Sequence, residues 1–248
     1  MPISVAEISA TIMSLIAGIL IFIIAIEILL KWKTKRQNAT LFLFFSILAY
    51  AGGCLSAMGI YSLAGTALDI AIFLQKMTYT FVLAAGIMMF LFGVQIFFHF
   101  KKKLYPILYV LLGIIFIISV LILDSVEWKY NLPGYGNDYP LLSIKLEYSI
   151  FLVIYLVPVL VGIAFLAIRA SKKLEDRVYA IGYRFIALGN LLILTTFIID
   201  AISTASQGEF IAYAITLNFT WIVPIIAAFC SYIGWTLPDW FRTIIEKK

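Results

Sequence analysis

The chain is poor in charge: 12% of its 248 residues are Asp, Glu, Lys or Arg, about half the share in ordinary soluble domains. It has one histidine, His99, and two cysteines, Cys54 and Cys230. A single histidine excludes a bis-histidine haem, an HExxH zinc site and a Ser-His pair working within the apolar runs. Two cysteines give neither a metal cage nor a disulfide framework. They fall on different apolar runs at depths about 10 Å or more apart, beyond disulfide reach. Both are expected to be buried and unlinked.

What the chain has instead is apolar length. It is 64% hydrophobic, and that content gathers into seven runs, at about 7–31, 38–62, 66–98, 104–123, 146–170, 178–204 and 210–236. Each is long enough to cross a hydrocarbon core, which takes about 20 residues. Lipid offers backbone groups no partners, so each run is expected to be a helix. The expected fold is an all-α membrane protein, a single seven-helix transmembrane bundle over 1–248. No cleavable leader is expected, because the first run lacks a basic region before it and a small-residue cleavage site after it.

The basic residues orient the bundle. Of 18 Lys and Arg, 15 fall on alternate connections: Lys31 to Arg36, Lys101 to Lys103, Arg169 to Arg184, and Arg242 to Lys248. Only Lys76, Lys129 and Lys145 fall on the other side. Basic residues flanking spans stay cytoplasmic, which puts the amino terminus outside and the carboxyl terminus inside a multi-pass protein of the cell membrane. The net charge of +5 is thereby assigned to anionic lipid headgroups and not to nucleic acid. Residues 237–248 carry Trp240, Phe241, Ile244 and Ile245 among charges, as an interfacial helix on the cytoplasmic surface does.

Polar groups inside spans are costly and are the default functional candidates. Counting about 1.5 Å per residue from the helix ends puts Gln75, Tyr155, Asn190 and Asn218 at one level in the outer half. Tyr50 joins them, Trp221 lies one turn below Asn218, and Lys76 adjoins Gln75, snorkelling outward toward Asp200, Glu147 or Asp69. Two readings stand. The groups are packing glue between helices, or they line an outward-facing small-molecule site. The segment from Asp124 to Lys145, with Trp128, Tyr130, Tyr135 and Tyr139, is an interfacial aromatic cap on one reading and a lid on the other. Helix 7 has no lysine to carry a retinal Schiff base, and no acidic series crosses the bundle, which argues against a pump. No cofactor or metal is expected. Pro158 and Pro224 are expected to kink helices 5 and 7.

Helix 3 begins FLQKMTYTFVLAAG, with Lys76 and Tyr79 in a basic-x-x-aromatic opening. Helix 6 carries Gly189-Asn190 after an aromatic-rich start, and a turn-rich segment separates helices 4 and 5. This layout resembles the seven-helix sensory region of membrane histidine kinases over nearly all 248 residues. It departs from that region in lacking a proline after the helix 6 glycine and a kinase domain after Lys248. The resemblance implies a stand-alone sensor or receptor-like module, not an enzyme, that signals through a separate cytoplasmic partner. A small-molecule transporter and a structural subunit of a membrane complex are the alternatives. The partners expected are membrane lipids, that signalling partner and a small molecule at the outer half.

Overall fold

A computed structural model describes residues 5–98, 104–129, 141–205 and 210–246. The helices are α1 (Val5–Lys35), α2 (Asn38–Leu63), α3 (Leu68–Ile96), α4 (Leu104–Ile122), α5 (Leu146–Ser171), α6 (Arg177–Ala205), α7 (Phe210–Thr236) and α8 (Asp239–Glu246). The first seven are long and apolar enough to cross a membrane. The seven-helix bundle of a multi-pass membrane protein is therefore what the sequence folds into. His99, Lys101 to Lys103, Tyr130, Tyr135, Tyr139, Lys247 and Lys248 lie outside the described residues.

Six helices close a ring. α1 packs on α2, α2 on α3, α3 on α5, α5 on α6, α6 on α7, and α7 returns to α1. α4 leans on the outside of α3 and reaches α5 through aromatic side chains. The burial pattern follows this order. α1 buries Ala10, Ser14, Ala17, Ile21, Ala25 and Ile28, a stripe at three- and four-residue spacing that lets one face meet two neighbours. α4 buries only Gly113, Phe116 and Val120 and leaves Leu108, Leu111, Ile115 and Ile118 exposed. With no water to exclude, such helices hold together by close packing and small residues at contacts. α6 and α7 show this best: a Cβ on Gly234 would lie 2.7 Å from the Gly182 carbonyl oxygen, so glycine alone permits that approach.

The connection from α4 to α5 is not irregular throughout. Two strands, β1 (Val126–Lys129) and β2 (Leu141–Ile144), pair antiparallel with Val126 opposite Ile144. Val126, Ser143 and Ile144 are buried, whereas Glu127 and Trp128 are exposed. At their base Lys145 donates to Asp124 at 2.6 Å, and the Lys145 amide donates to the Ser125 carbonyl at 2.9 Å. We call this end of the bundle the hairpin end and the other the α8 end. At the latter, α7 stops at Leu237, which adopts a left-handed φ of 45°, and Pro238 starts the turn into α8. Phe241 and Ile245 of α8 face the bundle, Phe241 meeting Phe185 edge to face at 5.2 Å. Trp240 and Ile244 are exposed. Cys54 and Cys230 are buried and unlinked.

Candidate functional site

A cavity of about 90 Å³ opens among four helices in the half of the bundle nearer the hairpin. α2 supplies Tyr50, Gly53, Cys54, Ala57, Ile60 and Tyr61; α3 supplies Gln75, Thr78, Tyr79 and Val82. α6 contributes Thr196, Phe197 and Asp200, and α7 contributes Thr220, Trp221 and Pro224. Helical periodicity explains the set: Tyr50, Cys54, Ala57 and Tyr61 recur at three and four residues, as do Gln75, Thr78, Tyr79 and Val82, so each helix presents one face.

The polar groups of this wall differ in how completely they are satisfied. The Tyr50 and Thr196 side chains hydrogen-bond each other, and Asp200 lies within electrostatic reach of Tyr50 and Tyr79. Thr78 and Thr220 donate to carbonyls of their own helices, Leu74 and Thr216. Trp221, 8% exposed, meets Tyr61 edge to face at 6.2 Å. Its indole nitrogen is buried without a hydrogen-bond partner, a donor whose desolvation goes uncompensated. Pro224 has no amide, so the Thr220 carbonyl loses its bond from the residue four further on. Among the described residues the lining includes one carboxylate and no lysine, arginine or histidine.

Below this cavity Tyr50 also borders two voids of about 20 Å³ each, one beside Ser46, Ile193 and Ser231, the other beside Val82, Leu156 and Phe197. Each has room for about one water.

Of the seven residues singled out from the sequence, the cavity brings together Tyr50, Gln75 and Trp221. The other four go elsewhere. Lys76 does not reach Asp200, Glu147 or Asp69; it donates to the carbonyls of Leu123 at 2.7 Å and Leu121 at 3.3 Å, at the end of α4. Successive helical residues point about 100° apart, so Gln75 in the cavity turns Lys76 toward α4. Tyr155 faces α4 as well. Its hydroxyl donates to the Tyr109 carbonyl at 3.1 Å while Tyr109 donates to the Tyr155 carbonyl at 2.8 Å, with the rings stacked 4.2 Å apart. Asn218 donates to Ser9 Oγ at 3.0 Å and ties α7 to α1. Asn190 shares the inward face of α6 with Phe197 and Asp200 but lies about 15 Å deeper than Asp200. It is 1% exposed and donates to Ile186 of its own helix at 2.9 Å.

Asp200, Tyr61, Tyr79 and Thr196 are among the wall residues that depth counting did not select. The Thr196-x-x-x-Asp200 spacing, which places both on one face of α6, was the available signal. On the hairpin side, Leu142 of β2 packs with Ala10, Ala64, Ala71 and Leu217, a cluster that Tyr61 and Leu63 also touch, so the hairpin adjoins the cavity wall. A second crevice of about 270 Å³ lies at the α8 end among Lys31, Gln37, Tyr179, Tyr183, Trp235 and Arg242. There Trp235 Nε1 donates to Thr40 Oγ1 at 2.9 Å, and Arg242 Nε donates to the Leu237 carbonyl at 2.9 Å. No family model matches the chain, and no curated protein or solved structure is similar to it.

Proposed function

We propose that this is a receptor-like sensor of the cell membrane, without catalysis of its own, that binds a small molecule in the Asp200 cavity. The hairpin end then faces outward and the α8 end the cytoplasm, as the distribution of basic residues favours. The observation that carries the reading is the cavity's position: its wall is shared by four helices and includes Thr220 and Pro224, where the proline takes one amide out of the α7 hydrogen-bond ladder. A ligand filling this space changes how α2, α3 and α6 pack on the part of α7 where the hydrogen-bond ladder is already broken. α7 leads directly into α8, so a change of its tilt is passed to an output partner at the cytoplasmic face. A ligand shifts such an equilibrium only through unequal affinity for the two packings, and a cavity between helices provides that inequality.

Transport of a solute is the weaker reading. Below Tyr50 the space narrows to voids of about 20 Å³, which suits a terminal binding site better than a passage.

The test places spin labels at Thr243 on α8 and at Thr34 near the end of α1 in the full chain. Ala57→Phe, which occupies the cavity from α2, is expected to shift the distance distribution between the labels by several ångströms. A folded Ala57→Phe protein with an unchanged distribution would remove the proposed coupling of cavity to output.

A further inference from the structure

We infer that the ligand of the Asp200 cavity is a small organic cation, an amine or quaternary ammonium head group that also carries a hydrogen-bond acceptor. This rests on the reading of the cavity as a ligand site and adds the chemistry.

Charge comes first. Among the described residues, the wall carries one carboxylate and no basic side chain. An anionic ligand would bring a second negative charge into a space of low dielectric, where like charges repel strongly. A cation gains from Asp200 instead.

Aromatic faces come second. Tyr50, Tyr61, Tyr79 and Trp221 all border the same space, and Tyr61 and Trp221 form a corner at 6.2 Å and 78°. A ring whose face is turned to such a space attracts a cation through its quadrupole, which is how aromatic cages hold quaternary ammonium groups. Such a cage works best on a cation that is weakly hydrated, as methylated ammonium is, because little hydration is lost on entry.

Size and the unsatisfied donor narrow the class. The cavity of about 90 Å³ is smaller than the roughly 150 Å³ that admits benzene. A trimethylammonium group is about as bulky as benzene, so the cavity takes part of such a head group and the rest stays in the opening. The indole N–H of Trp221 is buried without a partner, and a hydroxyl or carbonyl on the ligand would satisfy it.

The experiment uses the full chain in detergent micelles at constant ionic strength and measures binding calorimetrically for two probes. One is choline; the other is 3,3-dimethylbutan-1-ol, the same shape with carbon in place of the charged nitrogen. Choline is expected to bind at least about tenfold more tightly, the factor that a desolvated cation–π contact supplies. Asp200→Asn is expected to reduce that preference to what the aromatic contact alone supplies while leaving the alcohol's affinity unchanged, and Trp221→Phe to weaken both probes. Should Asp200→Asn fail to fold, the comparison of the two probes on the unaltered chain still decides.

Equal binding of the two probes, or no binding of choline up to about 10 mM, overturns the cation inference. The sensor reading falls separately, by the unchanged distance distribution of Ala57→Phe. If that variant moves α8 while choline does not bind, the cavity is a sensor site for a ligand of another chemistry. If choline binds and α8 stays still, the cavity is a cation site without coupled output.

Discussion

Two tyrosine clusters lie on different sides of the same bundle and differ in what they leave unfinished. Between α4 and α5, Tyr109 and Tyr155 exchange hydrogen bonds with each other's backbone carbonyls and stack ring on ring. Phe90 lies against Tyr109 at 4.0 Å, and Phe116 lies against Phe151 at the same distance. Among α2, α3, α6 and α7, three tyrosines and a tryptophan surround a space instead of one another, and the tryptophan N–H has no partner. The residue types are the same and the depths similar. A closed cluster adds stability and specifies which helices meet, whereas an open one leaves binding energy for something else to use.

The largest effect should come from forcing a side chain into the closed cluster. A Cβ on Gly113 would collide with the Tyr155 hydroxyl and lie 2.8 Å from Ile87 Cδ1. Gly113→Ala is expected to destabilise the protein by about 2 kcal/mol, the usual cost of overpacking, in SDS-titration unfolding in bicelles. Gly53 is the matched control in the cavity wall. A Cβ there would meet nothing nearer than the Thr78 carbonyl oxygen at 3.6 Å, an ordinary contact. Gly53→Ala should therefore change stability by less than about 0.5 kcal/mol. Equal costs at the two glycines would erase the distinction between the clusters.

These two glycines also show what the sequence could and could not give. Helix number and limits were legible because apolar length and flanking charge are one-dimensional properties. The run at 38–62 is α2 (Asn38–Leu63), and the run at 146–170 is α5 (Leu146–Ser171). α1 extends further than read, to Val5–Lys35, and α3 ends at Ile96, as fraying termini do. Depth was legible in the same way, and it brought Tyr50, Gln75 and Trp221 to the right level. Azimuth was not, because the direction a side chain faces has meaning only once the neighbouring helix is known. Tyr155 and Asn218 lie near the same level and face α4 and α1. Asn190 strayed for another reason: α6 has 29 residues, about 43 Å, so subtracting a 30 Å core from its inner end set Asn190 too shallow. The hairpin was missed because its strands are four residues each, too short for an alternation signal to stand out.

Hydroxyl removal gives a smaller effect and a sharper comparison. Tyr155→Phe and Tyr109→Phe each delete one interhelical hydrogen bond and should cost about 0.6 to 1 kcal/mol. The double variant should cost less than the sum, since each ring positions the other's donor. Trp221 is the counterpart in the open cluster. Replacing it by Phe removes a buried N–H that has no partner, so the loss of one ring's contacts is offset by relief of an unpaired donor. Trp221→Phe is expected to be near neutral for stability while weakening choline binding. A Trp221→Phe protein destabilised by more than about 2 kcal/mol would mean that the indole N–H does bond within the bundle, and the cavity would lose its unsatisfied donor.

The smallest expected effect is electrostatic and belongs to the closed side alone. Lys145 donates to Asp124 at 2.6 Å across the base of the hairpin, joining the end of α4 to the start of α5. That hydrogen bond, and then the Lys145 charge, holds the Asp124 carboxyl below its ordinary value near 3.8. The same bond holds the Lys145 ammonium above its ordinary value near 10.5. A carboxyl depressed in the folded state contributes stability above its unfolded value and loses it as pH falls through the folded one. A raised ammonium contributes below its unfolded value and loses that contribution as pH rises through the folded one. The pair should therefore hold the hairpin between these limits and release it on the acid side first. Both groups are solvated, Asp124 with 82% of its side chain exposed, so screening keeps the effect local. Amide exchange at Glu127 and Ser143, a hydrogen-bonded pair of the ladder, should quicken as pH drops below about 4, relative to the intrinsic rate, and Lys145→Gln should give that faster exchange already at neutral pH. The cavity has no part in this latch: neither Asp124 nor Lys145 borders it. Choline affinity measured at neutral pH on Lys145→Gln should match that of the unaltered chain. If opening the hairpin base changes that affinity, the two sides of the bundle are coupled through Leu142 and Tyr61, and the hairpin is part of the site it adjoins.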